Sequence, residues 1–468
     1  MALLLGPSGM GIVNLVASSV DLTRVLFACG LDGATVRKVA EASAEDDPAL
    51  LDQTYRIAAR TALFIGAAAC VALAIASPIL SAKILGTPAH FWWYAVAGGS
   101  LIFTPLLGVQ LAFLQGLKRS KTLAICQIIA SIAGAVLAIA LVALMGKVGA
   151  IIALLPISVA SLTIHHHFLK PFRSTVETPR DYHQWRESKK LIKLGSGFAI
   201  NGIWLTASGW LNLLFIQNYY GHDLGVLQVG LYGAASTMAN FYIGILISAM
   251  GTEFYPSLVQ AGRDRSLVNR LLNQQTLLSI GIGIPVTLGM LVLTPWILQL
   301  LYTREFIAGG DLMRWLLVGM AIRFAACPIG FAVLAVGRPR LIAMSELMTG
   351  IVMITSSYVM LQIFGLVGLG IAFVITNSLY LAGIFVVTRR MGICWNASTG
   401  FFVIETFGVL AACLMMALLM PAMQGALTCL VLTACYMAHL VVLVRRETGI
   451  SLAQLFSKLK NFTTRNHA

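Results

Sequence analysis

Inside otherwise apolar stretches, a few side chains carry a charge or an amide: Asp21, Arg24, Asn240, Arg323 and Glu346. A charge in hydrocarbon costs roughly 2.5–3.5 kcal/mol even on a lenient insertion scale, so each needs a partner, water or a ligand. Asp21 and Arg24 are three residues apart, hence on one face of a helix. They read either as a self-neutralised pair or as part of a substrate-facing patch. Arg323 lies midway along an apolar segment, 312–335, with no acid within one turn. A guanidinium there suits an anion, because its planar fork grips two oxygens of a phosphate at once. Glu346 is read as a partner for Arg323 or as a coupling-ion site, and Asp21 as a second ion site. Asn240 joins Asp21, Arg24 and Arg323 as a substrate-binding candidate, because it stands 219 residues after Asp21 in a repeat set out below.

Other chemistry is not written here. There is no Gly-rich phosphate loop with its Lys and Ser/Thr, so the chain shows no means of hydrolysing ATP. No nucleophile and base stand together in a loop, and no enzyme activity or cofactor is expected. The eight cysteines are scattered singly, without metal-ligand spacing. His165, His166 and His167 are consecutive and so point to different sides of a helix, which suits a span end better than a metal. Phe91, Trp92, Trp93 and Tyr94 read as an interfacial aromatic anchor ahead of a sugar platform. Glu405 is expected to reach the cytoplasmic interface by snorkelling.

These residues are carried by a membrane protein. The mean hydropathy is +0.86 and only 11% of residues are charged. A helix crossing the hydrocarbon core needs about 20 apolar residues. Thirteen segments qualify: 10–30, 58–80, 92–115, 122–144, 148–168, 194–217, 229–251, 276–298, 312–335, 341–362, 367–388, 401–420 and 425–444. Of the 32 Lys and Arg, all but Arg24, Lys83, Lys147, Arg304, Arg314 and Arg323 lie in or beside alternate loops. By the positive-inside rule those loops face the cytoplasm, as does the C-terminal tail. The formal charge of +14 is therefore topological, and spread too thinly for nucleic-acid binding. Asn396, Ala397 and Ser398 match a glycosylation acceptor but fall on the cytoplasmic side. The polar connector 36–56 is expected to hold a short interfacial helix.

The chain also repeats itself. At an offset of 219, Gly146 and Gly149 meet Gly365 and Gly368, Gly11 meets Gly230, Ala42 meets Ala261, and Gln127 meets Glu346. With small length changes, Ser77, Pro78 and Thr87 are echoed by Thr294, Pro295 and Thr303. Such order points to a duplication. It gives a first lobe of five spans over 1–168, a cytoplasmic connector at 169–193 and a second lobe of six spans over 194–390. Two extra spans and a basic tail then fill 391–468. The first lobe is expected to lack its first helix, because Gly230 follows a span and Gly11 does not.

The opening Leu5, Gly6, Pro7, Ser8, Gly9, Met10 and Gly11 resembles a polysaccharide flippase, as do Gly30 and Leu31 with the connector from Val36 to Glu41, Leu114 to Arg119, the paired Gly-x-Val-Gly runs and Pro256 to Leu258. The family resembled is the Wzx-type O-antigen and lipid-linked oligosaccharide translocases of the MATE/MOP superfamily, over about 3–390. The resemblance implies an all-α fold of two pseudo-symmetric lobes around a cavity, in a bacterial inner membrane. It implies transfer of an undecaprenyl-diphosphate-linked oligosaccharide between leaflets by alternating access. Expected partners are that lipid-linked substrate, membrane lipids, a polysaccharide polymerase and a chain-length regulator. The alternatives are a cation-coupled multidrug antiporter and a non-transporting scaffold in envelope polysaccharide synthesis.

Overall fold

Long apolar runs with few breakers should fold as helices, since in hydrocarbon every backbone N–H and C=O must be satisfied within its own segment. The computed structural model describes residues 2–45, 47–172, 184–262, 264–336, 339–420 and 422–448, and holds no strand among them. Seven α-helices come first: α1 Ala2–Ala28, α2 Leu31–Ala44, α3 Pro48–Ile84, α4 Phe91–Gly98, α5 Thr104–Gly116, α6 Ser120–Ile152 and α7 Leu154–Leu169. Then follow α8 Gln184–Tyr220, α9 His222–Ala261, α10 Arg265–Leu301, α11 Gly310–Ala335, α12 Pro339–Phe364, α13 Leu366–Arg390, α14 Ala397–Leu419 and α15 Ala422–Thr448. Among the described residues nine stretches are long and apolar enough to cross a membrane, and Leu427–His439 adds a shorter one. The chain is an all-helical, multi-pass membrane protein. The middle of the 169–193 connector and most of the basic tail lie outside the described residues.

Contacts divide the chain into Met1–Gly230 and Leu231–Ala468. The division falls after α8, beyond the 169–193 connector, because α8 packs on α1, α2 and α3. In the first unit, α2 packs one face into the protein. Its Leu31, Ala34 and Val39 enter a core with Tyr55, Val109 and Phe113. The close fit has a local cause: a Cβ on Gly116 of α5 would strike the Val39 side chain. After Gly116, α5 stops in a turn where Lys118 takes a left-handed φ of 56° and the Arg119 N–H donates to the Leu114 carbonyl.

The repeat is visible in backbone geometry. Gly146 interrupts α6 at φ 59°, ψ −135°, and Gly365 precedes α13 at φ 60°, ψ −145°. Those angles are open to glycine and strained for other residues. Three residues on, a Cβ at Gly149 would overlap the Leu141 carbonyl, and one at Gly368 the Met360 carbonyl. Both members of each pair are again 219 apart.

In the second unit, α11 is central: 83% of its apolar window is buried. It interlocks with α13 through two glycine contacts, Gly319 against Phe373 and Gly370 against Trp315. The segment before α14 is strapped along one face of α10. Asn269 accepts from the Cys394 N–H (3.2 Å) and donates to the Gly392 carbonyl (2.9 Å). Asn273 accepts from the Asn396 N–H (2.9 Å) and donates toward the Cys394 carbonyl (3.4 Å), while Trp395 Nε1 donates to Thr276 (3.1 Å). The spacing 269, 273, 276 is one helix face, so two asparagines stand in for a neighbouring strand.

Candidate functional site

Of the charged candidates, Asp21 and Arg24 lie together in the first unit, and Arg323 and Glu346 lie around Tyr380 in the second. In the first, Arg24 turns back on its own helix. Its Nε lies 2.9 Å and a terminal nitrogen 2.8 Å from Asp21 Oδ1, so both donors converge on one carboxylate oxygen. The Asp21 side chain is still half exposed. One turn earlier, buried Ser19 accepts from Trp210 Nε1 at 3.0 Å. Arg24 is also within electrostatic reach of a second acid, Asp32 of α2. Burial pushes the Asp32 carboxyl up from its ordinary value, and the positive charge of Arg24 opposes that rise. The cause is close packing, since the Asp32 carboxylate occupies the space a Cβ on Gly108 would need.

Sequence reading missed Asp32. It lies in a polar connector, and only the docking of α2 on α5 makes it a site residue. The one available signal was its place a helix break after Arg24, at Cys29 and Gly30, both with positive φ.

In the second unit, α11 presents Arg323 and, one turn on, Cys327; α12 presents Ser345 and Glu346; α13 presents Tyr380. The Tyr380 hydroxyl lies over Gly330, hydrogen-bonds Ser345, and is within electrostatic reach of both Glu346 and Arg323. Cys327 senses the same two charges. Arg323 and Glu346 are nonetheless not an ion pair: no nitrogen–oxygen distance between them falls within 4 Å. Arg323 is half-buried and makes no hydrogen bond among the described residues, yet none of its nitrogens is sealed off. A guanidinium in that state is a donor set waiting for an anion or water.

Beside this cluster opens a groove of about 320 Å³, lined by Ile342, Met348, Val352, Leu379 and Ile384, with Ser345 and Tyr380 at its polar edge. Asn240 stands elsewhere, exposed on α9, where its Nδ2 donates to the Ser236 carbonyl at 2.7 Å. Structure thus groups Arg323 with Glu346 in one unit and Asp21 with Arg24 in the other, and gives Asn240 a partner on its own helix.

Three sequence features belong to the fold. His165 is buried, with Nδ1 2.8 Å from the Ser161 carbonyl. Among the described residues no three His, Cys, Asp or Glu stand close enough to hold a metal. Trp93 is 3% exposed, its ring stacked on His90 at 4.1 Å, so it offers no open platform. Glu405 has a side-chain partner that the sequence does not reveal, His439 of α15.

Among solved structures, the chain resembles an inward-facing multidrug resistance MATE family transporter of the MOP superfamily, with TM-score 0.63 at 15% identity, over 82% of this chain and 93% of that one. It resembles the lipid II flippase MurJ in an inward closed conformation equally well, TM-score 0.63 at 11% identity, over 95% and 98%. A MOP superfamily transporter from Pyrococcus furiosus, described as having a binding pocket of reverse polarity, is similar at TM-score 0.60 and 16% identity, over 82% and 94%. At such identities the likeness concerns the fold. Among curated proteins none matches the sequence significantly. Residues 1–308 match the family model for polysaccharide biosynthesis proteins, and the chain belongs to that family.

Proposed function

We propose that this protein moves an undecaprenyl-diphosphate-linked oligosaccharide from the cytoplasmic to the periplasmic leaflet of a bacterial inner membrane by alternating access. A diphosphate with sugars cannot cross about 30 Å of hydrocarbon unaided. The observation that carries the reading is Arg323, a half-buried guanidinium inside a span that forms no ion pair among the described residues. Its fork can replace part of the hydration shell of a diphosphate while the polyprenyl tail stays in lipid. Family membership favours a glycan cargo, and the likeness to MurJ favours a lipid-linked one. Asp21 and Glu346 remain the candidate coupling-ion sites, and Arg24 and Asn240 further substrate contacts. A polysaccharide polymerase and a chain-length regulator would act on the cargo once it has crossed.

The test is a leaflet-accessibility assay. The purified protein, placed in vesicles with a fluorescent undecaprenyl-diphosphate oligosaccharide, should expose the label to an impermeant quencher from the far side. Transfer no faster than in protein-free vesicles overturns the reading. Faster efflux of a cationic dye in its place would identify a cation-coupled drug antiporter.

A further inference from the structure

The two helices that follow the duplicated region hold a pair of titratable side chains that the proposed transport site does not use. Glu405 stands roughly 12 Å into α14 at about 1.5 Å per residue, inside a candidate span. Across from it, His439 of α15 places Nδ1 2.6 Å from Glu405 Oε1. At that separation the two atoms are within hydrogen-bond distance. The other carboxyl oxygen, Oε2, is buried and has no hydrogen-bond partner among the described residues. One residue further on, Thr406 and the Tyr436 hydroxyl are 2.7 Å apart, and Tyr436 stacks on Phe402 at an interplanar angle of 10°.

Among the described residues no other charged side chain is paired with Glu405. On α15 the titratable neighbours are Tyr436, which senses Glu405, and Cys429 and Cys435. On α14 there is Cys413, whose carbonyl accepts from Cys429 Sγ at 3.4 Å. On α11, Arg314 is paired with Asp311 at 2.8 Å, and Arg323 and Cys327 belong to the cluster with Glu346. From Arg270 to Leu301, α10 has no titratable side chain after Arg270 itself.

We propose that Glu405 and His439 form a proton-binding site, and that their shared proton keeps α15 docked on α14. An imidazole and a carboxyl joined by one proton are neutral as a pair, whichever atom holds it. Removing that proton leaves a carboxylate and a neutral imidazole, net −1 in hydrocarbon, which the site cannot keep without water or a cation. Adding a second proton gives an imidazolium and a carboxylic acid, net +1, with the same consequence. Of the two side chains His439 is the more open, 47% exposed against 27% for Glu405. The helix contact is thereby made conditional on one proton, independently of Arg323.

The experiment is infrared pH-difference spectroscopy of the full chain in lipid nanodiscs. In the wild type, a carboxyl C=O band and an imidazole ring band should titrate together with one midpoint, as strongly interacting sites do. Glu405→Gln, which keeps a neutral hydrogen bond to Nδ1, should lose the carboxyl band and shift the ring midpoint. His439→Gln should lose the ring band and shift the carboxyl midpoint. Independent midpoints in the wild type, or a partner band left unmoved by either change, overturn the proposal. If a single variant does not fold, the exchange Glu405→His with His439→Glu should restore a jointly titrating pair, and failure to do so counts equally against it.

Discussion

Gly11 and Gly230 cross back to back: a Cβ on Gly11 would overlap the Val226 carbonyl, and a Cβ on Gly230 would overlap the Pro7 carbonyl. Pro7 and Val226 are themselves 219 apart, so the contact is reciprocal. Each copy of the repeat presses the same glycine onto the same position of the other. Only hydrogen in place of a side chain lets α1 and the start of α9 approach so closely.

Gly11→Ala and Gly230→Ala should therefore each destabilise the protein by about 1–3 kcal/mol, the usual cost of an extra methyl in a filled contact. Thermal unfolding in detergent measures this. Gly289→Ala on α10, where a Cβ meets nothing within 4 Å, should be neutral or stabilising.

Arg323→Ala should reduce leaflet transfer to background while leaving the protein inserted and folded. Arg323→Lys should retain part of it, since Lys keeps the charge and loses the fork. Arg323 and Glu346 make no ion pair but share Tyr380 and Cys327 as neighbours, so their changes to Leu should couple in stability by about 0.5–3 kcal/mol. A double mutant that still transfers substrate at the wild-type rate would remove Arg323 from the substrate path.

Asp32 makes a prediction about pH. Burial raises its folded-state value above 3.8, so its contribution to stability is complete below 3.8 and is lost as the pH rises through the raised value. Above the raised value the ionised carboxyl weakens the fold. Asp32→Asn should accordingly raise the melting temperature at pH 7, with the gain vanishing in acid; a gain independent of pH would contradict the assignment.

The asparagine strap on α10 can be tested by truncation. Asn273→Ala strips the Asn396 N–H of its acceptor and should cost about 1–3 kcal/mol, the range for leaving such a group unpaired. Freed from the strap, the start of α14 should become accessible to proteolysis between Gly392 and Asn396.

Much of this was legible in the sequence, for stated reasons. Hydropathy marks the spans because the bilayer admits little else, and the glycine spacing marks the repeat because the same backbone angles recur at Gly146 and Gly365. Arg323 and Glu346 announce themselves by being charged in apolar surroundings. What stayed hidden depends on helix packing. Asp32 looks like a solvated connector residue until α2 docks through Gly108 and Gly116. Glu405 has no visible partner in the sequence until α15 brings His439 to it. Tyr380 joins Arg323 only because Gly319 and Gly370 let α11 and α13 close.

The separation of Glu405 from His439 bears on how the chain enters the bilayer during synthesis. Asp21 and Arg24 neutralise each other within a single turn, so α1 can leave the translocation channel alone. Glu405 has its counterpart 34 residues downstream. Until α15 has emerged from the ribosome, α14 carries a carboxyl without its counterpart, which should slow its entry into lipid. The helices α14 and α15 should therefore partition into lipid together, as one hairpin, and a chain halted between them should stay exposed to quality-control proteases.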